Sequence, residues 1–313
     1  MINILLLQNA VYGNGVIDFT NRNIEGYTIK QASVYEEDIC LLGKKVLRRI
    51  NAYFAKIILG DWKKSREKYD ILIIMESDAT VEVLEAIKRL NISNSQVLYF
   101  MNAVTKTSMK LLNRAKQLGY IIATYNLKDS IQYDINYVHQ CWNPELFPHK
   151  ICMAQDRNVD LFFVGKAKNR YDSLIELKKV AENIGLTTKF IIISDKGQPD
   201  TQKEEVPYVQ CLSQMSYARA IVDIVGEGNI GLTWRPLEAL FMKKKLITNY
   251  REIEKYELYQ ENKANIFIVG KDNDNELFDF VKSPFVDKNL DLSKYDIENW
   301  LKNLVKLGLK SNE

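Results

Sequence analysis

The sequence predicts an α/β protein of two domains, each built on a parallel β-sheet with helices packed on it. The first observation is an alternation of short apolar runs with helical patterns of about ten residues, which is typical of βαβ units. The second is length, because 313 residues with 46% hydrophobic content are enough for two hydrophobic cores. The third is a break in both periodicities at residues 142–148, where Pro144 and Pro148 indicate a linker. We therefore expect a first domain at residues 1–145 and a second at 146–313.

Each expected strand and helix follows from the period of its apolar residues. In the first domain the expected strands are 3–7, 27–32, 70–75, 96–101 and 121–124, and the expected helices are 38–58, 80–90 and 107–118. In the second domain the expected strands are 160–164, 189–194, 208–212, 221–225, 246–248 and 266–269. The helices expected there are 171–184, 213–220, 234–242, 275–281 and 294–307. We expect the last helix to pack back on the first domain.

Charge and hydropathy exclude some classes of function. A net charge of +3 is too small for a dedicated nucleic-acid-binding protein, although it suits a protein that meets anionic ligands. Residues 1–8 are too short and too lightly charged for a signal peptide. The chain also contains no apolar run of the roughly eighteen residues that a membrane-spanning helix needs. We expect a cytoplasmic protein.

Both histidines and two of the four cysteines lie in one short stretch, as His139, Cys141, His149 and Cys152. All four are possible zinc ligands. Their spacing, which Pro144 and Pro148 interrupt, fits no common zinc-binding motif, and no C-x-x-C pair occurs in the chain. We therefore predict no metal site.

The most informative stretch is residues 216–249. Its apolar run at 221–225 is expected to be a buried strand. Three glycines follow that strand: Gly226, Gly228 and Gly231. Glycine permits backbone conformations and close approaches that other residues do not, so the chain is expected to turn here. Thr233 is then expected to cap a helix. Because doubly wound sheets bind ligands at the carboxyl ends of their strands, this glycine loop is a candidate site.

Arg235 is expected in the first turn of that helix, where the positive end of the helix dipole makes a cation unfavourable by about 0.3–1 kcal/mol. Something must compensate this cost. Glu238 lies three residues further on the same helical face and can pair with Arg235. Alternatively, Arg235 meets a phosphate group that lies over the helix N-terminus. The sequence leaves both interpretations open.

A second loop at the end of an expected strand carries positive charge. Gly165 is followed by three cations within five residues: Lys166, Lys168 and Arg170. Such a loop between a strand and a helix can hold a diphosphate, and Gly165 allows the backbone to come close to it. The alternative is an ordinary solvated loop.

Glu76, Ser77 and Asp78 follow directly on the strand expected at 70–75. A carboxylate at this edge, from Glu76 or Asp78, can act as the general base for an acceptor hydroxyl. The alternative is that Ser77 or Asp78 is simply the N-cap of the next helix.

Residues 40–68 combine apolar positions at helical spacing with basic residues between them. One interpretation is a helix that covers the core and has a solvated basic face. The other is a surface that touches anionic lipid.

Residues 228–249, GNIGLTWRPLEALFMKKKLITN, resemble the donor-site segment of GT-B glycosyltransferases, especially bacterial enzymes of capsule, exopolysaccharide and lipopolysaccharide assembly. In that family a glycine loop leads into a helix with Glu-Ala-Leu or Glu-Ala-Met, which Glu238, Ala239 and Leu240 match. The better-known retaining members have an earlier glutamate eight positions before this one. Here Ile230 occupies that position, and Glu227 lies three residues before it.

The resemblance implies the GT-B fold, with two Rossmann-like domains facing a cleft. It also implies transfer of a sugar from a nucleotide-sugar donor to a saccharide or lipid-linked saccharide in bacterial surface polysaccharide assembly. The implied donor-binding residues are Gly165, Lys166, Arg170, Gly228, Gly231, Leu232, Thr233, Arg235 and Glu238. The three basic residues among them would neutralise the diphosphate leaving group, so that Arg235 also counts as catalytic, and Glu238 would accept hydrogen bonds from ribose hydroxyls.

No cofactor is implied besides the nucleotide sugar, which is a co-substrate. The chain has no D-x-D motif in acidic surroundings, so we expect a reaction that needs no metal ion. If the basic surface at 40–68 touches lipid, the protein would sit on the inner face of the plasma membrane. Two other functions fit the same residues: a nucleotide-sugar epimerase of GT-B shape, and a non-catalytic protein that binds a sugar nucleotide within an assembly complex.

Overall fold

Two six-stranded sheets, both entirely parallel, form the framework of this computed structural model. The structure describes residues 1–9, 16–20, 22–36, 58–65, 67–146, 158–194, 196–226, 231–287 and 291–310. The chain divides into two units, one of Met1–Asn143 with Ser293–Glu313 and the other of Pro144–Leu292. The predicted α/β class with two parallel sheets is confirmed.

The first unit contains the sheet with the strand order β2-β1-β3-β4-β5-β6. Its strands are β1 (Ile2–Leu7), β2 (Tyr27–Ala32), β3 (Tyr69–Met75), β4 (Ser93–Phe100), β5 (Ile121–Thr124) and β6 (Asn136–Tyr137). Its α-helices before the second unit are α1 (Val81–Leu90), α2 (Met109–Gln117) and α3 (Leu127–Tyr133). The helix α3 and the short strand β6 were not predicted, because their apolar residues are too few to show a period.

One face of this sheet is buried under α1 and α2. Leu5, Leu72 and Leu98, from β1, β3 and β4, belong to the same core as Leu84 of α1 and Leu112 of α2, and all five side chains are at most 1% exposed. Alternate residues of a strand point to opposite faces. The residues between them therefore require a cover on the other face as well.

The C-terminal helix α9 (Ile297–Lys310) packs on this sheet. A Cβ atom on Gly308 would lie 2.9 Å from Ile71 Cδ1, and Trp300 packs edge-on against Tyr99 with ring centroids 5.2 Å apart. The backbone of Trp142 holds the returning chain by donating to Tyr295 O at 2.8 Å and accepting from Ile297 N at 3.0 Å. The last helix is thus part of the first unit.

The second unit contains the sheet with the strand order β12-β11-β10-β7-β8-β9. Its strands are β7 (Val159–Lys166), β8 (Thr188–Ile193), β9 (Thr201–Gln202), β10 (Ala218–Asp223), β11 (Lys245–Thr248) and β12 (Ile266–Ile268). Its α-helices are α4 (Tyr171–Asn183), α5 (Tyr208–Ser216), α6 (Arg235–Phe241), α7 (Glu257–Asn262) and α8 (Leu277–Lys282). Short 3-10 helices of the first unit lie at Asp61–Lys64 and Ser293–Tyr295, and those of the second unit lie at Pro144–Leu146, Arg251–Lys255, Lys263–Asn265 and Asp274–Glu276.

Two predictions in the second unit were wrong. Residues 208–212, predicted as a strand, begin the helix α5, and residues 213–220, predicted as a helix, contain its end and the start of β10. The side chains of Cys211, Leu212 and Met215 are buried while Val209 is 69% exposed, which is helical rather than alternating periodicity. The strand prediction failed because five residues are too few to separate the two periods.

The helix predicted at 38–58 lies almost entirely outside the described residues. The described end of the 40–68 segment belongs to the first core, because Ile58, Leu59 and Trp62 are at most 8% exposed. Contact of this segment with anionic lipid stays a prediction. Among the described residues, none of the helices is both long enough and apolar enough to cross a bilayer.

Candidate functional site

The order of strands in the second sheet indicates where a ligand binds. From β7 the chain continues to β8 and β9 on one side, and then returns to β10 on the other side of β7. In doubly wound sheets ligands bind outside the carboxyl ends of the strands at this topological switch point. Here those ends are Lys166 of β7 and Asp223 of β10.

Arg235 and Glu238 form a buried ion pair beside this point. Arg235 Nη1 lies 2.8 Å from Glu238 Oε2, and the Glu238 side chain is 3% exposed. The Tyr208 hydroxyl donates to Glu238 Oε1 at 2.7 Å, and Arg235 Nη2 donates to Val164 O at 3.0 Å. The pairing that the sequence proposed is therefore present, with the Glu238 carboxylate buried and the Arg235 side chain 20% exposed.

The protonation states of this group follow from burial and from neighbouring charge. Burial alone would lower the pKa of Arg235, and the carboxylates of Glu238 and Asp223 outweigh it, so its pKa lies above the ordinary value. Burial and the Glu238 carboxylate raise the pKa of Tyr208. Arg235 is therefore charged, and Tyr208 remains a hydrogen-bond donor.

Thr233 links the end of β10 to the start of α6. Its hydroxyl donates to Asp223 Oδ2 at 2.9 Å and accepts from Arg235 N at 3.2 Å. Trp234 is the N-cap residue, so the predicted cap at Thr233 was one residue too early. Asp223 itself is 5% exposed, and burial raises its pKa while the Arg235 and Arg170 charges partly offset that effect.

Arg170 crosses from the end of β7 to the end of β10. Its Nη1 donates to Ile224 O at 2.6 Å and its Nε donates to Lys166 O at 3.1 Å. Burial lowers the pKa of Arg170, and its guanidinium carbon lies 5.2 Å from the centre of the Phe163 ring. A Cβ atom on Gly165 would lie 3.0 Å from Arg170 Nη2, so glycine leaves the space that the guanidinium occupies.

Lys166 is more exposed than Arg170 and Arg235. The prediction placed Gly165 and Lys166 in the loop after β7, whereas both are its last residues, because pairing with β8 continues to Ile193. Lys166 Nζ lies 2.6 Å from Glu205 Oε1, and the two side chains are 59% and 67% exposed. Exposed pairs of this kind contribute roughly 0–1 kcal/mol, so breaking this pair costs little.

The glycine loop is described at its two ends. Residues 227–230, which include the predicted Gly228, lie outside the described residues. A Cβ atom on Gly226 would lie 1.9 Å from Asn169 Oδ1, so any other residue here would require the Asn169 side chain to move. Gly231 has φ +111° and donates its N–H to the Tyr250 hydroxyl at 3.0 Å. Leu232, predicted to bind substrate, is 5% exposed.

The structure thus brings most of the predicted donor residues to one edge of one sheet. Both arginines also donate to backbone carbonyl groups there, Arg170 to Ile224 O and Arg235 to Val164 O, which the sequence did not indicate. It also missed Asp223 and Tyr208. Asp223 had a signal, since it is a carboxylate at the carboxyl end of an apolar strand, the same pattern that singled out Glu76. Tyr208 had none, because its helix was predicted as a strand.

In the first unit the corresponding switch point lies between β1 and β3. Asp78, just after β3, is 2% exposed and accepts hydrogen bonds from Asn9 N and Asn9 Nδ2, both at 3.0 Å. The N-cap of α1 is Thr80, whose hydroxyl accepts from Val83 N, so the alternative that Ser77 or Asp78 caps this helix was wrong. Asp78 instead fastens the ends of β1 and β3 together.

Glu76 lies at the same edge and is less enclosed than Asp78. Its carboxylate accepts hydrogen bonds from Met101 N at 3.2 Å and from the exposed Asn102 Nδ2 at 3.2 and 3.3 Å. Burial raises the pKa of Glu76 above its ordinary value. A carboxylate with a raised pKa at a sheet edge is suited to accept a proton from a hydroxyl group. Of the two predicted general bases, Glu76 has the better placement.

No cluster of three or more potential metal ligands occurs in the described part of the chain. Of the four residues weighed as zinc ligands, His149 and Cys152 lie outside that part. His139 Nδ1 lies 3.2 Å from the Tyr137 hydroxyl, and Cys141 is buried as a free thiol.

Comparison of the structure with solved structures gives a match along nearly the whole chain. An alpha-glucosyltransferase, in complex with UDP and a 13-mer DNA containing a central A:G mismatch, matches with a TM-score of 0.52 and 12% identity over 98% of this chain and 96% of that chain. The chain has the GT-B fold. At 12% identity the likeness is one of fold.

Two other solved structures match this chain with lower TM-scores. The lipopolysaccharide outer core galactosyltransferase WaaB in its apo form has a TM-score of 0.46 and 12% identity over 97% of this chain and 99% of that chain. The glycosylation associate protein (Gap123) complex from Streptococcus agalactiae has a TM-score of 0.45 and 14% identity over 87% of this chain and 55% of that chain. No protein-family model matches the sequence, and no curated protein matches it.

The buried Arg235–Glu238 pair predicts a large effect on stability. Arg235→Ala leaves the Glu238 carboxylate buried without its counter-charge, and we expect the free energy of unfolding to fall by about 2–4 kcal/mol. Urea denaturation of both proteins measures this difference. Lys64→Ala is the matched control, because Lys64 pairs with Asp61 at the same i,i+3 spacing but with 70% and 84% exposure. An equally small effect in both variants would show that Arg235 is an ordinary surface residue.

Proposed function

We propose that the chain is a glycosyltransferase that moves a sugar from a nucleotide-sugar donor to a saccharide or lipid-linked saccharide. The observation that carries the proposal is the coincidence of the GT-B fold with a charged cluster and a glycine loop at the switch point of the second sheet. A UDP-bound glucosyltransferase shares this fold along the whole chain. The resemblance of residues 228–249 to bacterial surface polysaccharide enzymes supports a role in that assembly.

The donor would bind to the second unit, with its diphosphate beside Lys166 at the end of β7 and Arg235 at the start of α6. Lys166 and the remaining N–H groups of Arg170 and Arg235 would meet the phosphate oxygens. Negative charge on the leaving diphosphate grows in the transition state, and donors already fixed in place stabilise it without reorganisation. The contacts of both arginines with protein acceptors supply that fixed placement. Contact of Glu238 with ribose hydroxyls stays a prediction.

The acceptor would bind to the first unit, where Glu76 would take the proton from the attacking hydroxyl. Asn102, which donates to both carboxylate oxygens, would orient Glu76. The 40–68 segment would add contact with an anionic membrane surface if the acceptor is lipid-linked.

Two observations favour a second candidate, a non-catalytic protein that binds a nucleotide sugar. Ile230 stands where the better-known retaining members have a glutamate, and both arginines are engaged with protein acceptors. Such a protein would bind the donor without consuming it.

Binding and turnover of nucleotide sugars test the proposal. We expect at least one of UDP-glucose, UDP-galactose, UDP-N-acetylglucosamine and GDP-mannose to raise the Tm, since a ligand that binds only the native state stabilises it. With an acceptor glycolipid and EDTA present, the same donor should be consumed, because side chains and not a metal meet the leaving group. Binding without release of nucleotide would support the non-catalytic candidate, and no Tm shift with any of the four would refute both.

Glu76→Gln tests the general base. We expect kcat to fall about 10²–10⁴-fold with the Tm retained, because the amide cannot accept the proton. In the unmodified protein kcat/KM should fall as pH decreases through the raised pKa of Glu76, since only the ionised carboxylate is a base. Asp78→Asn is the matched variant. It should lower the Tm and reduce kcat far less than Glu76→Gln does, because Asp78 fastens β1 to β3. Full activity of Glu76→Gln would assign the base elsewhere.

A further inference from the structure

Asp223 has an unusual place for a buried carboxylate. It ends β10 at the switch point of the second sheet and is 5% exposed. Its Oδ2 accepts from the Thr233 hydroxyl at 2.9 Å, whereas its Oδ1 accepts no hydrogen bond from any residue that the structure describes. Oδ1 also keeps some exposed surface, because among the described residues the fully enclosed side-chain oxygens without a hydrogen-bond partner include Glu238 Oε2 but not Asp223 Oδ1. The second oxygen is therefore available for a ligand.

The charges around Asp223 determine what kind of ligand group suits it. The neighbouring carboxylate Glu238 already pairs with Arg235. Arg170 donates to two backbone carbonyl groups and, among the described residues, to no carboxylate. Two guanidinium groups thus face two carboxylates, so the cluster is balanced in charge. A phosphate placed against Asp223 would meet a like charge, whereas a hydroxyl group would supply the missing donor.

Resting on the proposed function, we propose that Asp223 is a specificity-determining residue that accepts a hydrogen bond from a sugar hydroxyl of the donor. The hydroxyl belongs to the transferred sugar or to the ribose of the nucleotide, since both rings carry the same chemistry. Thr233 is the positioning residue, because its hydroxyl holds the other carboxylate oxygen and ties it to the first amide of α6.

This role assigns a hydrogen-bonding carboxylate to the end of β10. In the sequence that follows, Ile230 stands where the better-known retaining GT-B enzymes have their first glutamate. Asp223 reaches the site from the end of the strand, seven residues before that position. The carboxylate is fixed by β10 on one side and by Thr233 on the other, so it needs no ordering when the ligand binds.

The test compares nucleotide sugars with the matching nucleoside diphosphates. Titration calorimetry on the full chain uses UDP-glucose, UDP-galactose, UDP-N-acetylglucosamine, GDP-mannose, UDP and GDP. For the nucleotide sugar that binds, Asp223→Asn should raise Kd about five- to fifty-fold, because a hydrogen bond to a charged acceptor becomes one to a neutral amide. A rise for the sugar nucleotide alone assigns the hydroxyl to the transferred sugar, and an equal rise for the diphosphate assigns it to ribose.

Two threonine variants separate this role from a loss of folding. Thr233→Val removes the hydroxyl that holds the Asp223 carboxylate, and Thr248→Val removes a hydroxyl that donates at 2.9 Å to the backbone oxygen of the same residue. We expect Thr233→Val to weaken the same ligands as Asp223→Asn, and Thr248→Val to change Kd less than two-fold at equal loss of Tm. If Asp223→Asn does not fold, the threonine pair alone decides.

The outcomes distinguish the two proposals. If the unmodified chain binds none of the six compounds, the proposed function fails and the role of Asp223 fails with it. If the unmodified chain binds a nucleotide sugar and Asp223→Asn binds it equally well, only the role of Asp223 is overturned. Equal weakening by Thr233→Val and Thr248→Val would likewise overturn it, because a general loss of rigidity would then explain the effect.

Discussion

The buried ion pair between Arg235 and Glu238 is the constraint on which the second unit depends. A guanidinium and a carboxylate that leave water lose several kcal/mol of solvation each, so their partners must be placed accurately. Here the partners come from separate elements, with Val164 O on β7 and the Tyr208 hydroxyl on α5. The pair therefore fixes α6 and α5 against the carboxyl end of β7.

The two sheets treat their switch points differently. In the first sheet Asp78 is satisfied by Asn9, which closes the ends of β1 and β3 together and leaves Glu76 and Asn102 at the edge. In the second sheet the point is filled by a balanced set of charges, in which Asp223 Oδ1 accepts no hydrogen bond from a described residue and Glu238 Oε2 has only its ion pair with Arg235. A carboxylate whose hydrogen bonds join two strand ends contributes to packing, whereas a charged cluster with an unused acceptor oxygen is suited to the recognition of a ligand. This difference supports donor binding on the second unit.

Much of the fold follows from the sequence because a long apolar run is stable only when it is buried. Strands such as β3 and β7, buried on both faces of a parallel sheet, read as continuous apolar runs and were predicted within a few residues. The α5 helix was mistaken for a strand because the apolar residues of a stretch as short as 208–212 fit one buried face with either the helical or the strand period. The short strands β6 and β9 have two residues each, and only their neighbours in the sheet define them.

The candidate site was predictable in its location but not in its contacts. The glycines and cations around Arg170 and Arg235 indicated that these residues lie together at one edge of the sheet, because glycine and charge are typical of loops at strand ends. Their partners are the backbone carbonyl groups of Val164 and Ile224. Every residue type has such a group, so no sequence pattern predicts these contacts. The burial of Glu238 was also hidden, since the Tyr208 that covers it is thirty residues away.

Hydrogen–deuterium exchange of backbone amides tests most directly whether the switch point of the second sheet is the donor site. The full chain is measured with and without the nucleotide sugar that raises its Tm most. We expect slower exchange in peptides that cover residues 164–170 and 223–235, with no change at residues 159–161, at the opposite end of β7. Slower exchange confined to the first unit, or none near Asp223 and Arg235 while the ligand is bound, would contradict it.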